Sequence, residues 1–441
     1  MRVLLVQSYL GRRETPILPL GLAYLANNLN GHEVSILDPN IEDDPYGAIR
    51  KRIEDFKPDI VGLSLRNIDT TSYRDMYYHY KTLEPTVELI KKAAPQSYLV
   101  VGGAAFSLFA EDIMSRNLKI DFGVYLEGEE SFPELLNNLS NPGRVKGIYY
   151  REDEKLVFSG PRPLPDLEDA SPNLDLLEVS RYKDGGEGIG VQSKRGCLLN
   201  CSYCTYPFLT GRSLRLRSPS KVVDEIEQIV EKYGVRQFTF ADSIFNVPPQ
   251  HAIEICEEII RRGIRVGWAA FFHFKGIDEN FVDLAHRAGC YLFIFSPDGY
   301  SDKALKILRK GIKKEDIRKV YNLAKKFKVS RFDFSFFINA PGQNYGDIAA
   351  LLWLLVKTNF LLPQKKFMHI SVNVPRIEPH TNLYQLAIQE GTLSPTDSLL
   401  PSDAALLPSL YYHNPRIRLA ENIFSFLVTS KKVLNQLTGK G

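Results

Sequence analysis

In two long stretches of this chain strand-like patterns alternate with helical ones, and that alternation limits the fold more than any other feature. In residues 1–140 the strands read as Arg2–Gln7, Glu33–Leu37, Asp59–Leu65, Tyr98–Val101 and Phe122–Glu127, with helices at Gly21–Leu29, Tyr46–Phe56 and Thr82–Ala94. Strands without a polar face, separated by helices, predict a parallel sheet covered on both sides. The reading is a doubly wound α/β domain whose ligand sits beyond the carboxyl ends of its strands. Residues 141–187 carry Pro161, Pro163, Pro165 and Pro172 and read as a linker with a hairpin near Arg151–Lys155. From Gly188 six further βα rounds follow, with strands at Gly188–Ser193, Gln237–Ala241, Val266–Phe272, Tyr291–Ser296, Arg331–Ile338 and Phe367–Val374. Helices are expected at 219–233, 249–263, 278–288, 302–328, 344–358 and 381–390. Six units predict a partial (β/α)6 barrel over residues 188–390, with chemistry at the strand carboxyl ends. Residues 391–441 read as a small helical C-terminal extension.

The five cysteines are distributed unevenly. Cys197, Cys201 and Cys204 crowd into one loop after the first barrel strand, whereas Cys256 and Cys290 stand alone and read as core thiols. The spacing lets one loop offer three thiolates to one centre. A cubane [4Fe–4S] cluster ordinarily takes four cysteines, so a three-cysteine set leaves one iron open to an external ligand. Zinc is the alternative from spacing alone, but the nearest downstream histidine, His251, is far along the chain. Too few cysteines for a disulfide scaffold point to metal chemistry in a reducing compartment, the cytoplasm. Basic and acidic residues nearly balance, 55 against 52, which disfavours nucleic acid as the main partner. The longest apolar run, Ile348–Val356, is about half a membrane span.

The run Cys197-Leu198-Leu199-Asn200-Cys201-Ser202-Tyr203-Cys204, after a strand that opens a βα barrel, resembles the radical S-adenosylmethionine (SAM) superfamily. Phe240–Phe245, Tyr291–Tyr300 with Leu305–Gly311, Ile338–Asn344 and Pro375–Leu383 resemble its later segments in order. Pro297-Asp298-Gly299 stands where a Glu-Ser pair is usual, and His380 stands where a Gly is usual. The N-terminal features Pro19-Leu20-Gly21, Pro58–Ser64, Val101–Ala104 and Glu127–Glu130 resemble the flavodoxin-like cobalamin-binding domain fused to one subgroup of that superfamily. The resemblance implies a [4Fe–4S] cluster on Cys197, Cys201 and Cys204. It implies SAM contacts from Tyr203, Asp242, Asp298 and Arg331. Cobalamin contacts are implied for Tyr9, Leu20, Gly21, Ser64, Leu65, Arg66, Gly102, Gly103, Ala104, Glu127, Gly128 and Glu129. The first βα loop, Ser8–Pro19, has no His, so the cobalt would lack an imidazole below it, with Arg66 or Asn67 beneath the corrin. An N-terminal domain that serves only as scaffold is the competing reading.

The function implied is methylation of an unactivated carbon on a small molecule, lipid or peptide. One SAM would be cleaved reductively, with electrons from a donor such as flavodoxin or ferredoxin, and a second would supply the methyl group through cobalamin. A cyclase, ring-rearranging or oxidative enzyme with the same cofactors is the first alternative, and a non-catalytic cobalamin- or cluster-binding regulator the second. Methylthio transfer is disfavoured, because residues 1–196 contain no cysteine for an auxiliary cluster. Arg212, Arg215, Arg217 and Lys221 read equally as anion contacts or as bridging residues. Trp268, Phe271, Phe272, His273 and Phe274 are candidate pocket aromatics; Tyr384, Tyr411 and Tyr412 read as core or lid packing.

Overall fold

The computed structural model describes residues 1–419 apart from 13, 186–187 and 364–365; the end of the expected C-terminal extension, 420–441, lies outside the described residues. The strands are β1 (Arg2–Gln7), β2 (Glu33–Leu37), β3 (Ile60–Ser64), β4 (Tyr98–Gly102), β5 (Phe122–Val124), β6 (Ile148–Glu152), β7 (Lys155–Phe158), β8 (Gly190–Val191), β9 (Lys194–Arg195), β10 (Arg215–Leu216), β11 (Gln237–Phe240), β12 (Gly267–Phe272), β13 (Cys290–Asp298), β14 (Arg331–Phe337) and β15 (Met368–Asn373).

The first sheet runs β2-β1-β3-β4-β5-β6-β7. β1 to β5 are mutually parallel, and the hairpin β6–β7 adds two antiparallel strands at the edge. The hairpin expected in the linker therefore completes this sheet instead of standing apart from it. Successive residues of β1 point to opposite faces. Val3 and Leu5 join a core with Leu22, Phe132 and Leu136. Leu4 and Val6 join another with Ile49, Leu83 and Ile113. That second core also contains Ile377, Leu383, Leu393, Leu400, Leu407 and Tyr412, so residues 377–412 fold back onto the first domain.

The second sheet, β8-β11-β12-β13-β14-β15, is parallel and in chain order, an open barrel of six strands. The core between this sheet and its helices is filled with stacked phenylalanines, among them Phe293 and Phe332 with ring centroids 4.7 Å apart. The helix Pro219–Tyr233 shows why the outer layer is legible: Pro219 opens it and Gly234 ends it in the left-handed conformation. The expected helix 302–328 is instead two, Asp302–Ile307 and Lys314–Lys326. The apolar spacing of Leu305, Leu308 and Ile312 runs through the gap, but Arg309 and Gly311 turn to φ +53° and +67° and break the helix. Lys310 is carried on that break.

Candidate functional site

The cysteine loop leaves β9, which pairs only with β10. Gly196 sits at φ +95°, where a Cβ would lie 2.0 Å from the Ser213 carbonyl oxygen; only glycine passes here. Beyond it the backbone is tied at three points. Cys197 N donates to Gly211 O (3.1 Å), Ser202 N donates to Leu308 O (2.9 Å), and Ser202 O accepts from Leu383 N (2.7 Å). Cys197, Cys201 and Cys204 thus open on one cavity of about 150 Å³, walled by Tyr203, Ser243, His273, Lys310 and the phenylalanines at 271, 272 and 274. Burial pushes the Cys201 thiol up, and the Cys204 thiol to about 12, with the Lys310 ammonium acting against it. A cationic centre is what would make thiolates of them. Among the described residues no three His, Cys, Asp or Glu side chains converge to hold one metal ion. Three thiols opening on one cavity are a donor set that fits a [4Fe–4S] cluster with one iron left open.

Two buried carboxylates brace this loop. Asp242 follows β11 and accepts from Ser193 N (2.8 Å), Ser193 Oγ (2.5 Å) and Lys194 N (3.2 Å), with Lys194 Nζ at 3.3 Å. Both its oxygens are engaged in fixing the chain that leads into the cysteines. Asp298 ends β13 at φ +63°, takes Lys310 Nζ at 2.7 Å and accepts from the Tyr203 hydroxyl at 2.5 Å. Burial works against the Lys310 charge, but Asp298 outweighs it and raises the ammonium above its ordinary value. Tyr203 also packs edge-on against Phe337 at 4.9 Å. His380 adopts φ +60° and stacks on Phe208 at 3.8 Å; its backbone conformation is one that favours glycine.

A second cavity, of about 340 Å³, lies at the carboxyl end of the first sheet. Leu20, Gly21, Ser64, Gly102, Gly103, Ala104, Glu127, Gly128 and Glu129 all line it, joined by Gln192, Arg195 and Thr210 from the barrel side. At Gly103, with φ +100°, a Cβ would lie 2.5 Å from the Leu65 carbonyl oxygen, and at Gly128 one would lie 3.1 Å from Val124. The floor is apolar, reaching Leu5, Val100 and Phe132. A glycine-rimmed, apolar-floored cradle of this kind fits a bulky planar ligand with a heterocyclic tail. Its wall is held by charge: the Glu127 carboxylate takes Arg195 at 2.7 Å and Arg215 at 2.5 Å, and Glu129 takes Arg195 at 2.6 Å. Arg195 is two residues ahead of Cys197, so this ion network joins the two cavities.

Other expected contacts fall elsewhere. Arg331 lies at the amino end of β14, exposed and paired with Asp333 at 2.7 Å, the end of the barrel opposite the cysteines. Tyr9 packs edge-on against Tyr46 at 5.5 Å. Leu65 meets Gly103 through its backbone. Arg66 is accessible yet walled by protein, and burial lowers its guanidinium while Glu14, Asp38 and Tyr206 act on it electrostatically. None of the three lines the cradle. Arg215 belongs to the ion network; Arg217 pairs with buried Glu225 (2.7 Å), Lys221 with Asp169 (2.6 Å), and Arg212 donates to Asn200 (3.1 Å). Each of the four has a protein partner. Cys256 and Cys290 are buried core, as are Trp268, Tyr411 and Tyr412, and Tyr384 packs against the core beneath. Lys310 is the residue that pattern reading passed over; a lone Lys-Gly inside an apparent helix was its only signal.

Fold and donor set define a two-domain α/β protein in which a glycine cradle faces a three-cysteine barrel loop. The family described as B12 binding domain matches residues 7–136, and the Radical SAM superfamily matches residues 191–355. An uncharacterized methyltransferase of Pyrococcus horikoshii is 31% identical over 383 residues, covering 85% of this chain and 79% of the relative. An anaerobic magnesium-protoporphyrin IX monomethyl ester cyclase of Rubrivivax gelatinosus is 30% identical, with 62% of this chain matching 50% of its own length. The radical SAM methyltransferase TsrM of Kitasatospora setae, solved with cobalamin and a [4Fe–4S] cluster, superposes with a TM-score of 0.76 at 22% identity, over 90% of this chain and 76% of that one. This chain belongs to the radical SAM superfamily, in the branch that carries a B12 binding domain ahead of the barrel.

Proposed function

We propose that this protein is a cobalamin-dependent radical SAM methyltransferase that methylates an unactivated carbon of a small molecule, lipid or peptide. The observation that carries the reading is the joining of the two cavities through Arg195, which lines the cradle and leads directly into Cys197. The cluster would supply an electron for reductive cleavage of SAM, and the corrin would carry the methyl group. Cys197, Cys201 and Cys204 would hold the cluster, and the Gly102–Ala104 and Glu127–Glu129 segments would hold the corrin and its tail. Asp242 keeps the cluster loop in register, so SAM contact falls to Tyr203 and Asp298 with Lys310. Phe271, Phe272 and Phe274 exclude water from the cavity where the substrate carbon would lie. Electrons would come from a small flavodoxin- or ferredoxin-type donor.

The test is turnover of anaerobically reconstituted protein with SAM and a strong reductant. S-adenosylhomocysteine, 5′-deoxyadenosine and a product heavier by one CH₂ support the reading. A product without the added CH₂ moves the assignment to the cyclase chemistry for which several relatives are named. Failure to cleave SAM would overturn both.

A further inference from the structure

We propose that this protein docks on an anionic membrane surface through the helix Tyr345–Val356 and the turn Lys357–Leu361. Six large apolar side chains on this segment face solvent: Tyr345, Leu352, Trp353, Val356, Phe360 and Leu361, three of them at 60% exposure or more. Their spacing along the chain, 345, 352–353, 356 and 360–361, puts them on one helical face. The opposite face is seated by Ile348 and Leu351 and by the Tyr321–Thr358 hydroxyl bond of 2.7 Å to the neighbouring helix. A soluble surface has no use for a stripe of this kind, and patches like it mark interaction sites.

Charge selects the occupant. The chain holds 52 acidic residues in 441, yet none stands between Ile348 and Ile377 and none between Ile317 and Phe332. The second of those runs, on and after the packed neighbouring helix, carries Arg318, Lys325 and Lys328, while Lys319, Lys326 and Arg331 in the same run pair with Glu315, Glu279 and Asp333. Lys357 and Lys366 are exposed beside the stripe itself. An apolar face bearing Trp, Tyr and Phe, flanked by lysines and with Asp347 as the one carboxylate on its own helix, is the pattern of a helix that lies in a lipid headgroup layer. A continuous helix of its seventeen residues would span about 25 Å, short of a bilayer crossing, and no helix among the described residues is long and apolar enough to cross a membrane. The segment lies on the surface.

The chain has two tryptophans, and Trp268 is wholly buried while Trp353 is 60% exposed, so the docking face carries its own fluorophore. The experiment is sedimentation of the anaerobically purified full chain with vesicles of phosphatidylglycerol and phosphatidylcholine, against phosphatidylcholine alone, at low and high salt. Expected are binding to the anionic vesicles, weakening with salt, and a blue shift of Trp353 emission that brominated lipid quenches. Combining Leu352→Ser, Trp353→Ser and Phe360→Ser should lower vesicle affinity at least about tenfold with no change in melting, because these side chains are exposed. Lys357→Glu with Lys366→Glu should weaken binding to anionic vesicles by a similar factor. The proposal is overturned if the wild type stays in the supernatant, or if the serine variant binds as well. It is equally overturned if Trp353 is already shielded from acrylamide without lipid. Shielding lost on dilution would assign the face to a second copy, and shielding lost in a chain ending at Leu419 would assign it to the chain's own C-terminal segment.

Discussion

The ion network around Glu127 can be tested by removing its centre. In Glu127→Ala, Arg215 keeps the carbonyl oxygens of Pro165 and Thr210, at 2.7 and 3.0 Å, and Arg195 keeps Glu129 and the Gln192 side chain, at 2.6 and 2.8 Å. Both guanidiniums are largely buried, with side chains 8% and 13% exposed. Breaking a buried pair from one side costs about 3–5 kcal/mol, and the surviving partners put this case at the lower end, about 3 kcal/mol. At about 2–4 °C per kcal/mol for domains of this size, the anaerobic melting temperature should fall by roughly 6–12 °C. Glu127→Gln retains an acceptor oxygen and should lose about half as much. Differential scanning fluorimetry, with iron counted in parallel, reads both the fold and the neighbouring cluster loop. An alanine variant melting within about 1 °C of wild type, or a glutamine variant as impaired as the alanine one, would refute the idea that this carboxylate ties the two cavities together.

Changing any of Cys197, Cys201 or Cys204 to Ala should cut reconstituted iron from about four per chain to near zero, whereas Cys256→Ala should retain it, as measured by iron and sulfide assay. Gly103→Val forces a β-branched residue to φ +100° and a Cβ to 2.5 Å from the Leu65 carbonyl; cobalamin retention on gel filtration should drop at least about tenfold, with a stability loss of about 1–3 kcal/mol. Burial pushes the Glu378 carboxyl up to about 7, despite Arg376 at 2.7 Å. The native state then holds this proton more tightly than the unfolded chain, so the group's contribution declines as pH rises from about 4.5 through 7. Urea titrations at pH 5 and 8 should show a slope that Glu378→Gln flattens, and an unchanged slope would exclude the assignment.

Sequence patterns revealed the layers and the cysteine loop because both are local. Strand patterns that alternate with helical ones admit little except a parallel sheet, and Gly102-Gly103 after β4 marks a place where backbone must approach a ligand. The failures share one cause, which is that contact partners lie far apart in the chain. Asp242 appeared free for a ligand, yet its oxygens are taken by Ser193 and Lys194, 49 and 48 residues away. Arg331 was assigned by its segment, although its place at the amino end of β14 turns it from the cysteines. Lys310 stayed hidden because Leu305, Leu308 and Ile312 continue a helical rhythm across a turn that only Gly311 betrays.

The return of residues 377–412 into the core of the first domain closes the polypeptide into a ring. The barrel is moored to its neighbour at two separate points, by the β6–β7 hairpin region on its way in and by Leu383, Leu400 and Leu407 on its way out. A second connection of this kind restrains the swing of one half about the first. Anyone transplanting either half into another scaffold has to carry the tail along with the head.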